Sequence, residues 1–313
     1  MSMGNKGSRK AGNTSDLDVI CCAFDLDLLR LPDSVLLRIL TFVPDGDLLN
    51  CMLVCKEWHA ATQQATFWKI KCLRSGRLIE ELVSIPAQEW RSVYFKNPYG
   101  RNLMKNPCGE EGVNSGWTIL EDGGDRLCVE TRDIGCKPKP PEMLAEMDNS
   151  TKNFATSYQW CSRVQVVDLI AEGCSEYVLD EIQPAIEVSE WFAARWDCGN
   201  TWTMRVTLSK KRSYSESELR AMESLDSWGQ HYYRHGPPDE SLKDDFVDQF
   251  QFGPETTPQW SDATWNKVQH IFTNYGPGVR SVIFEDGSSD TQYWAGHYGG
   301  KMSAATVKIN LRR

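Results

Sequence analysis

The 313-residue chain lacks any long apolar segment, and this shortage excludes several classes of protein. A membrane-spanning helix requires roughly 18 or more consecutive apolar residues, and no stretch of the sequence approaches that length. Residues 1–19 contain no apolar run of the kind found in secretory signal peptides. The sequence therefore predicts a protein that has no membrane span and resides in the cytoplasm.

Metal-ligating residues are also sparse or poorly spaced. The chain has 5 histidines, and its 11 cysteines include no pair with the CxxC spacing of a zinc site. His231 and His235 lie four residues apart but have no third ligand nearby in the sequence. We predict neither a metal site nor a cofactor, and we interpret the cysteines as buried, reduced thiols.

Positive charge is in deficit, with 34 Lys and Arg against 43 Asp and Glu and a formal net charge of −9. Because clustered Lys and Arg drive binding to nucleic acid, we predict no nucleic-acid partner. Tryptophan, in contrast, is abundant: the chain has 12, although its mean hydropathy is −0.46. Such rings either fill a β-rich core or face a ligand.

Residues 25–73 are predicted to form three short helices. In the first, Leu36, Ile39, Leu40 and Val43 recur at the i, i+3, i+4, i+7 spacing of one helix face. The third is predicted within residues 67–72. The second is predicted to carry one apolar stripe of Leu48, Met52, Cys55 and Trp58. A unit of this size does not bury all its apolar surface alone, so it is expected to dock on a partner or, alternatively, only on the rest of the chain.

Further along the chain, from about residue 113, apolar residues alternate with polar ones. Trp202, Met204, Val206 and Leu208 alternate with polar neighbours and predict a half-buried strand. The same alternation recurs at 154–160, 164–168, 186–188, 268–272, 282–284 and 307–311. Many short strands separated by turns predict an all-β antiparallel sandwich over residues 93–313, so that the whole chain is α+β and multidomain.

Three segments fall outside these elements. Residues 1–24 lack a packing face and predict a disordered arm, and residues 74–92 are interpreted as a helical linker. Residues 209–250 are charged and irregular between two predicted strands. A connection of that length is usually functional or disordered, so we predict a mobile insertion with a short helix over residues 216–225.

The helical block resembles an F-box. The resemblance rests on Leu31-Pro32, Leu48-Leu49-Asn50, Val54-Cys55-Lys56-x-Trp58 and Phe67-Trp68, taken together in this spacing. The β-rich half resembles the F-box-associated (FBA) domain of the sugar-recognising F-box proteins. Its matching stretches are 102–112, 154–161, 166–169, 191–195, 197–199, 275–280 and 290–296.

The resemblance implies the substrate receptor of an SCF-type ubiquitin ligase. In such a complex the F-box binds the Skp adaptor, which connects it to cullin and RING subunits. The implied adaptor-binding residues are Leu31, Pro32, Leu36, Ile39, Leu40, Leu48, Val54 and Trp58. An exposed apolar patch of that size is a liability unless a partner covers it. The chain itself is expected to be a non-catalytic adaptor.

Glycan-binding members of this family hold the chitobiose core of high-mannose N-glycans with loops at one end of a jelly-roll-like sandwich. The matching positions here are Tyr158, Asp197, Tyr293, Trp294 and Ala295. The resemblance implies that Trp294 stacks on a sugar face, that Asp197 accepts hydroxyl hydrogen bonds and that the two tyrosines hold the N-acetyl group. The implied targets are misfolded glycoproteins bound for endoplasmic-reticulum-associated degradation.

Without the resemblance, these residues have other interpretations. Asp197 fits a turn, Tyr158 fits a core strand, and Trp294 fits a core cap as well as a binding loop. Two other functions therefore stay open. One is a receptor that binds a protein target without sugar. The other, more remote, is a glycoside hydrolase, which needs two carboxylates about 5 to 10 Å apart. Loop candidates for the second carboxylate are Glu285, Asp286 and Asp290.

The tryptophans are predicted to divide by setting. Those on or beside predicted strands are assigned to the core, and Trp260 is left undecided, with packing favoured. Trp294, in a loop next to Tyr293, is predicted to be the single ring of the twelve that forms ligand surface.

Overall fold

The computed structural model describes residues 31–76, 85–223 and 240–311, which form two compact units. The first unit ends at Arg74 and the second begins at Ser75. The predicted disordered arm at 1–24 lies outside the described residues, as do residues 77–84 of the predicted linker and 224–239 of the predicted insertion. The change of periodicity along the sequence corresponds to a change from helices to strands.

The first unit contains four short helices within residues 31–74, where the apolar pattern predicted three. They are α1 (Asp33–Leu40), α2 (Asp45–Met52), α3 (Lys56–Gln63) and α4 (Ala65–Arg74). Pro32 and Pro44 directly precede α1 and α2, at helix starts where the N–H that proline lacks is not needed. The predicted stripe from Leu48 to Trp58 was wrong, because the chain leaves the helix after Met52 and is extended at Cys55.

A buried lysine ties the helices of the first unit together. Lys71, on α4, donates to the carbonyl of Val43 at 2.9 Å and to Oδ1 of Asp45 at 2.6 Å. A buried ammonium is tolerated only when it is paired in this way, so these bonds fix α4 against the turn between α1 and α2. The apolar side chains buried around it include Leu36, Leu37, Leu40, Leu48, Phe67, Trp68 and Cys72.

The second unit is built on two five-stranded antiparallel sheets. Its strands are β1 (Thr118–Asp122), β2 (Cys128–Glu130), β3 (Asn153–Ala155), β4 (Cys161–Asp168), β5 (Ala185–Ala193), β6 (Asn200–Ser209), β7 (Phe246–Thr257), β8 (Asn266–Phe272), β9 (Ser281–Asp290) and β10 (Lys301–Asn310). One sheet has the order β1-β4-β9-β6-β7 and the other β2-β3-β10-β5-β8. The predicted class, a helical module followed by an antiparallel two-sheet domain, is confirmed.

Short helices connect or flank the strands. They are α5 (Trp90–Lys96), α6 (Pro141–Glu146), α7 (Leu169–Glu172) and α8 (Glu216–Glu223), with 3-10 turns at Ala87–Glu89 and Glu240–Asp245 and a π turn at Val178–Ile182. Helix α5 therefore extends beyond the end of the predicted linker at residue 92, and the whole helix lies within the second unit.

Aromatic stacking joins the two sheets. Phe192, on β5 of one sheet, stacks on Trp202, on β6 of the other, with ring centroids 4.1 Å apart and an interplanar angle of 3°. Both rings are buried, as the alternation around Trp202 predicted for its apolar face. Burial of two such rings is a large hydrophobic contribution to the sandwich.

A buried arginine crosses the same core. Arg163 on β4 donates to Asp286 on β9 at 2.9 Å and to Glu190 on β5 at 2.8 Å, and all three side chains are fully shielded from solvent. Its guanidinium carbon lies 3.8 Å from the ring centroids of both Trp117 and Phe154. The predictions from apolar periodicity did not include this charged cluster, because charged residues are rarely fully buried.

The insertion predicted at 209–250 is anchored to the sandwich by apolar side chains of α8 and of the 3-10 turn at Glu240–Asp245, which include Leu219, Met222 and Leu242. Strand β6 is buried on both faces, so the prediction of a half-buried strand was wrong for its polar side, including Arg205 and Thr207. Leu219 and Met222 of α8 belong to a buried apolar cluster with β1, β4 and β9 residues, which explains the covered face. The predicted helix starts as expected at Glu216, but the irregular segment ends earlier than predicted, because β7 begins at residue 246.

Candidate functional site

The strand order places five connections at one end of the sandwich. Each of the five connections joins an odd-numbered strand to the next even-numbered one. Strands β1 and β9 are antiparallel to β4, and β9 is also antiparallel to β6. The ends of β1 and β9 therefore meet the starts of β4 and β6. The five connections span residues 123–127, 156–160, 194–199, 258–265 and 291–300. These loops carry every residue of the predicted glycan site.

Asp290, the last residue of β9, organises the loop that follows it. Its Oδ1 accepts the backbone N–H of Gln292 at 3.1 Å and of Tyr293 at 2.6 Å, and its Oδ2 accepts the N–H of Trp294 at 3.1 Å. Tyr293 has a left-handed φ of 58°, which the capped turn supports. The Tyr293 and Trp294 side chains are thereby exposed, to 69% and 45%.

A continuous row of side chains runs from Trp294 to Asp197. The Trp294 and Tyr298 rings are nearly perpendicular, with centroids 6.2 Å apart and an interplanar angle of 82°. The guanidinium carbon of Arg195 lies 4.2 Å from the Tyr298 centroid, and Arg195 Nε donates to Asp197 Oδ1 at 2.6 Å. The predicted stacking ring and the predicted polar anchor therefore belong to one connected cluster, through two residues that the sequence did not single out as site residues.

The Arg195–Asp197 pair fixes the charge of the cluster. Burial acts to raise the pKa of Asp197, but the hydrogen bonds and positive charge of Arg195 outweigh it, so that the pKa of this carboxyl lies below its usual value. The same hydrogen bonds raise the pKa of Arg195. The turn around Asp197 is the one predicted from its sequence: the backbone N–H groups of Cys198 and Gly199 donate to the carbonyl of Arg195.

Tyr158 lies in the loop between β3 and β4, so its predicted place in a strand was wrong. It is half-buried beside Gly124 of the β1–β2 loop. Gly124 has a φ of +64°, and a Cβ at this position would lie only 2.9 Å from the Tyr158 ring, so glycine permits the two loops to approach. The adjacent Asp125 accepts the backbone N–H of Gly296 at 2.5 Å. Ala295, between Trp294 and Gly296, is exposed.

Two further tryptophans are exposed at the same end. Trp196 and Trp260 are exposed to 48% and 64%, and their ring centroids lie 5.0 Å apart at 53°. Among the tryptophans that the structure describes, Trp294 is therefore not alone, and the packing role favoured for Trp260 was wrong. The signal in the sequence was the turn-rich setting of both rings, next to Asp197 and between Gln259 and Ser261.

The carboxylates considered for hydrolysis are bonded elsewhere. Glu285 accepts from Arg205 at 2.5 Å, and Asp286 accepts from the buried Arg163. Asp290 accepts the three backbone N–H groups of its own loop. Each of the three thus has a structural partner, which leaves Asp197 as the predicted carboxylate that stands with the exposed rings.

The predicted adaptor-binding residues divide by exposure in the first unit. Pro32, Ile39 and Val54 are exposed, whereas Leu31 and Trp58 are half-buried. The other three, Leu36, Leu40 and Leu48, lie in the core of the unit and offer no surface patch, which corrects that part of the prediction. They are buried because helices this short need each other's apolar faces to form a core at all.

Other apolar side chains on the first unit are exposed instead. A groove is lined by Ser34, Val35, Arg38, Ile39 and Phe42. Other large exposed apolar side chains of the first unit are Leu49 and Leu53, which the apolar pattern placed beside the stripe of the predicted second helix, and Leu73. Arg74 lies over the Phe42 ring, 3.3 Å from its centroid, and so covers part of it.

Across the described residues, no group of three or more His, Cys, Asp and Glu side chains is arranged to hold a metal ion. Within the same ranges, no helix is both long enough and apolar enough to cross a membrane.

Comparison with known proteins identifies both units. The F-box-like family matches residues 28–74, and the F-box associated region matches residues 94–232 and 241–309. Over 281 residues the chain is 38% identical to F-box only protein 44 of Homo sapiens, covering 90% of this chain and 95% of that protein. It is 36% identical over 282 residues to F-box only protein 6 of Homo sapiens, covering 90% and 83%.

The chain belongs to the family of F-box proteins with an F-box associated region, which places it among the F-box substrate receptors predicted from its sequence. Among solved structures, it is similar to a protein described as "Family 16 Carbohydrate Binding Module-2", at 14% identity and a TM-score of 0.34 over 66% of this chain and 99% of that chain. A TM-score of this size is too low to indicate a shared function.

Proposed function

We propose that the chain is the substrate-recognition subunit of an SCF-type ubiquitin ligase, and that its sandwich binds the chitobiose core of high-mannose N-glycans. The observation that carries the proposal is the connected row of Trp294, Tyr298, Arg195 and Asp197 at the loop end of the sandwich. It combines an exposed ring with a fixed carboxylate, and those are the two groups that a sugar requires.

The chemistry of an N-acetylglucosamine unit fits this arrangement. The apolar C–H face of the ring stacks on an exposed indole, and the Trp294 ring is exposed and held by its capped loop. The hydroxyl groups donate to a carboxylate, and Asp197 is held ionised by Arg195 with lone pairs left to accept. Tyr293 and Tyr158 then enclose the N-acetyl methyl group. Ala295 leaves the rim beside Trp294 open.

Calorimetry with chitobiose and with a high-mannose N-glycan tests the sugar proposal. Trp294→Ala is expected to reduce the affinity about fivefold to thirtyfold, because an aromatic platform in a binding site contributes on the order of 1 to 2 kcal/mol. Ile271→Ser removes an equally exposed apolar side chain on β8 and is the matched control. Undiminished binding by Trp294→Ala would favour a receptor that recognises protein surface without sugar.

The first unit is proposed to bind the Skp adaptor through its exposed apolar side chains. Pro32, Ile39 and Val54 of the predicted set, together with Leu49 and Leu53, offer apolar surface that a partner would cover. Leu31 and Trp58 contribute their exposed parts. The buried Leu36, Leu40 and Leu48 act indirectly, since they hold the short helices in place.

Co-purification of the adaptor from cells tests this surface. The double variant Leu53→Ser, Val54→Ser is expected to lose the adaptor while keeping its thermal midpoint, because both side chains are exposed. Leu31→Ala with Pro32→Ala is expected to do the same. The Leu73→Ser variant, which alters an exposed leucine at the end of α4, is the control and is expected to retain the adaptor. Full recovery of the adaptor by the first two variants would contradict the proposal.

In this proposal the chain acts by proximity rather than by chemistry of its own. Held in a complex with cullin and RING subunits, it brings a bound glycoprotein close to a ubiquitin-charged enzyme. The proposed targets are misfolded glycoproteins in the cytoplasm that await endoplasmic-reticulum-associated degradation. The structural partners of Glu285, Asp286 and Asp290 weigh against a hydrolytic role, because hydrolysis requires a second carboxylate free to act.

A further inference from the structure

The exposed pair Trp196 and Trp260 is held in place by the backbone. The N–H of Trp260 donates to the carbonyl of Trp196 at 2.6 Å, and the N–H of Trp196 donates to the carbonyl of Gly135 at 2.9 Å. Trp260 has a left-handed φ of 67°, a conformation that is rare for a bulky residue and that here turns the ring toward solvent. Two large rings are thus kept exposed by a specific local structure.

A third apolar side chain extends the pair. Ile134, exposed to 45%, precedes the glycine that accepts from Trp196. The segment that contains it runs along the Trp260 loop, since Lys137 donates its backbone N–H to the carbonyl of Ala263 at 3.0 Å. Ile134, Trp196 and Trp260 therefore form one stretch of surface, named here the apolar patch.

The patch adjoins the proposed sugar site. Trp196 stands between Arg195 and Asp197, the two charged residues of that site. Gln259, next to Trp260, donates its side-chain amide to the carbonyl of Asp197 at 2.8 Å. A ligand bound at Asp197 therefore lies beside the patch.

The charged group next to Trp260 is already bonded within the protein. The carboxylate oxygens of Asp262, which follows Trp260 by two residues, accept from Lys137 and from the backbone N–H of Thr264. Sugar recognition depends on hydrogen bonds to hydroxyl groups around the stacked ring, whereas apolar side chains need only contact area. An isoleucine beside two indoles matches the second kind of ligand.

We propose that the apolar patch binds apolar side chains of the unfolded polypeptide next to the glycosylated asparagine. The inference rests on the proposed sugar site, because a chitobiose held there carries its asparagine, and hence the polypeptide, within about two sugar lengths. The protein then recognises glycan and unfolded chain together. A folded glycoprotein keeps its apolar side chains buried and engages the sugar site alone.

Three probes test the proposal on the full chain. The first is a free high-mannose N-glycan with its chitobiose core, the second a reduced and carboxymethylated glycoprotein that carries this glycan, and the third the same polypeptide after enzymatic removal of the glycan. The variants are Trp196→Ser with Trp260→Ser, the sugar-site variant Trp294→Ala, and Ile271→Ser as the matched control. Thermal midpoints establish that each variant is folded.

The double variant is expected to bind the free glycan as the parent does and to bind the unfolded glycoprotein about tenfold more weakly, the loss expected for two partly buried indoles. An equal loss on the free glycan would overturn the proposal and make the patch a sugar subsite. No loss on the unfolded glycoprotein would also overturn it.

Failure of the sugar site gives a different result. If the parent protein does not bind the free glycan, the proposed function fails, and the patch is judged on the third probe alone. The proposal then stands only if the deglycosylated unfolded chain binds the parent more tightly than the double variant, and it falls if the two bind equally.

Discussion

The backbone N–H of Trp294 donates to Oδ2 of Asp290 at 3.1 Å, so the last residue of a core strand holds the exposed ring that begins the row of Trp294, Tyr298, Arg195 and Asp197. Because Oδ1 of the same carboxylate accepts the N–H groups of Gln292 and Tyr293, one buried side chain determines the course of the whole turn. The loop that carries Tyr293 and Trp294 is therefore an extension of the sandwich core.

Asp290→Ala is expected to weaken glycan binding about tenfold or more and to lower the free energy of unfolding by about 2 kcal/mol, since three backbone donors lose their acceptor. Calorimetric titration and urea unfolding measure the two effects. Asp290→Asn keeps one acceptor oxygen and should lose less of both. Equal behaviour of the alanine variant and the parent in glycan binding would show that the turn forms without its cap.

Arg195→Lys is expected to reduce glycan affinity about tenfold, because lysine lacks the fork that bonds Asp197 at two atoms and the plane that lies over Tyr298. Arg280→Lys is the matched control. Arg280 bonds Asp180 in the same two-atom manner but precedes the start of β9, roughly 30 Å from its far end by strand geometry.

The control should lower the thermal midpoint and leave glycan affinity unchanged. If both lysine variants lost glycan affinity alike, the effect would come from general destabilisation rather than from the Arg195–Asp197 pair.

The pKa of Asp197 lies below its usual value of 3.8, and this shift predicts how glycan affinity depends on pH. A carboxyl whose folded pKa is depressed stays ionised until the pH falls through that lowered value, so its acceptor role is present throughout the mildly acidic range. Glycan affinity is expected to change less than about twofold between pH 7 and pH 5 as far as this group is concerned. Titration of the parent and of Asp197→Asn at both pH values checks this, since a fall in the parent that is absent in the variant would contradict it.

The pKa of Glu190 is shifted in the opposite direction to that of Asp197, and this shift predicts how the stability of the fold changes with pH. Full burial, followed by the negative charge of Asp286, raises the pKa of Glu190 well above its ordinary value of 4.5 despite the presence of Arg163. A group with a raised folded pKa stabilises the fold fully below its unfolded pKa and loses that contribution as the pH rises through the folded value.

The free energy of unfolding of the parent is therefore expected to fall relative to that of Glu190→Gln as the pH rises above about 4.5. Urea unfolding between pH 4.5 and pH 8 measures the difference. Parallel profiles for the two proteins would show that Glu190 is ionised in the folded state already at the lower pH.

Met222→Ala is expected to lower the free energy of unfolding by about 2 to 4 kcal/mol, because the side chain is buried in the cluster between α8 and the sheet. Glu216→Ala on the same helix removes an exposed pair with Arg220 and should cost about 0.5 kcal/mol or less. Chemical unfolding of both variants measures these losses. If α8 were only loosely attached, Met222→Ala and Glu216→Ala would lower the free energy of unfolding by similar amounts.

The architecture was predictable from the sequence where one face of an element meets the core. The alternation at Trp202 and Met204 predicted the strand β6, although not the burial of its polar face, and the spacing at Leu36 and Leu40 predicted α1. The break of the second helix was not visible, because the apolar residues of α2 and α3 continue the helical spacing across the extended Cys55. Periodicity shows which residues share a face. A short break in the helix that keeps those residues on the same face leaves the apolar pattern unchanged, so the pattern does not reveal the break.

Residues of the candidate site were harder to place. The loop after Asp197 was predictable from its turn residues, and Tyr293 and Trp294 were predictable as a loop pair from the family resemblance. For Trp260 the turn-rich setting indicated a loop, but the direction of its ring depends on a left-handed backbone conformation that the sequence does not show. The buried Arg163 was not predictable, since its counter-charges, Asp286 and Glu190, are distant in sequence and meet only in the folded sandwich.

The distribution of the tryptophans makes the intrinsic fluorescence of the protein sensitive to what binds at the loop end of the sandwich. Trp117, Trp191, Trp202 and Trp265 are buried, whereas Trp196, Trp260 and Trp294 are exposed at the loop end of the sandwich. Exposed indoles emit at longer wavelengths than buried ones and are quenched by iodide. Ligands that cover the loop end should therefore shift the red edge of the intrinsic fluorescence and protect it from quenching, so that glycan and polypeptide binding become measurable without any attached label.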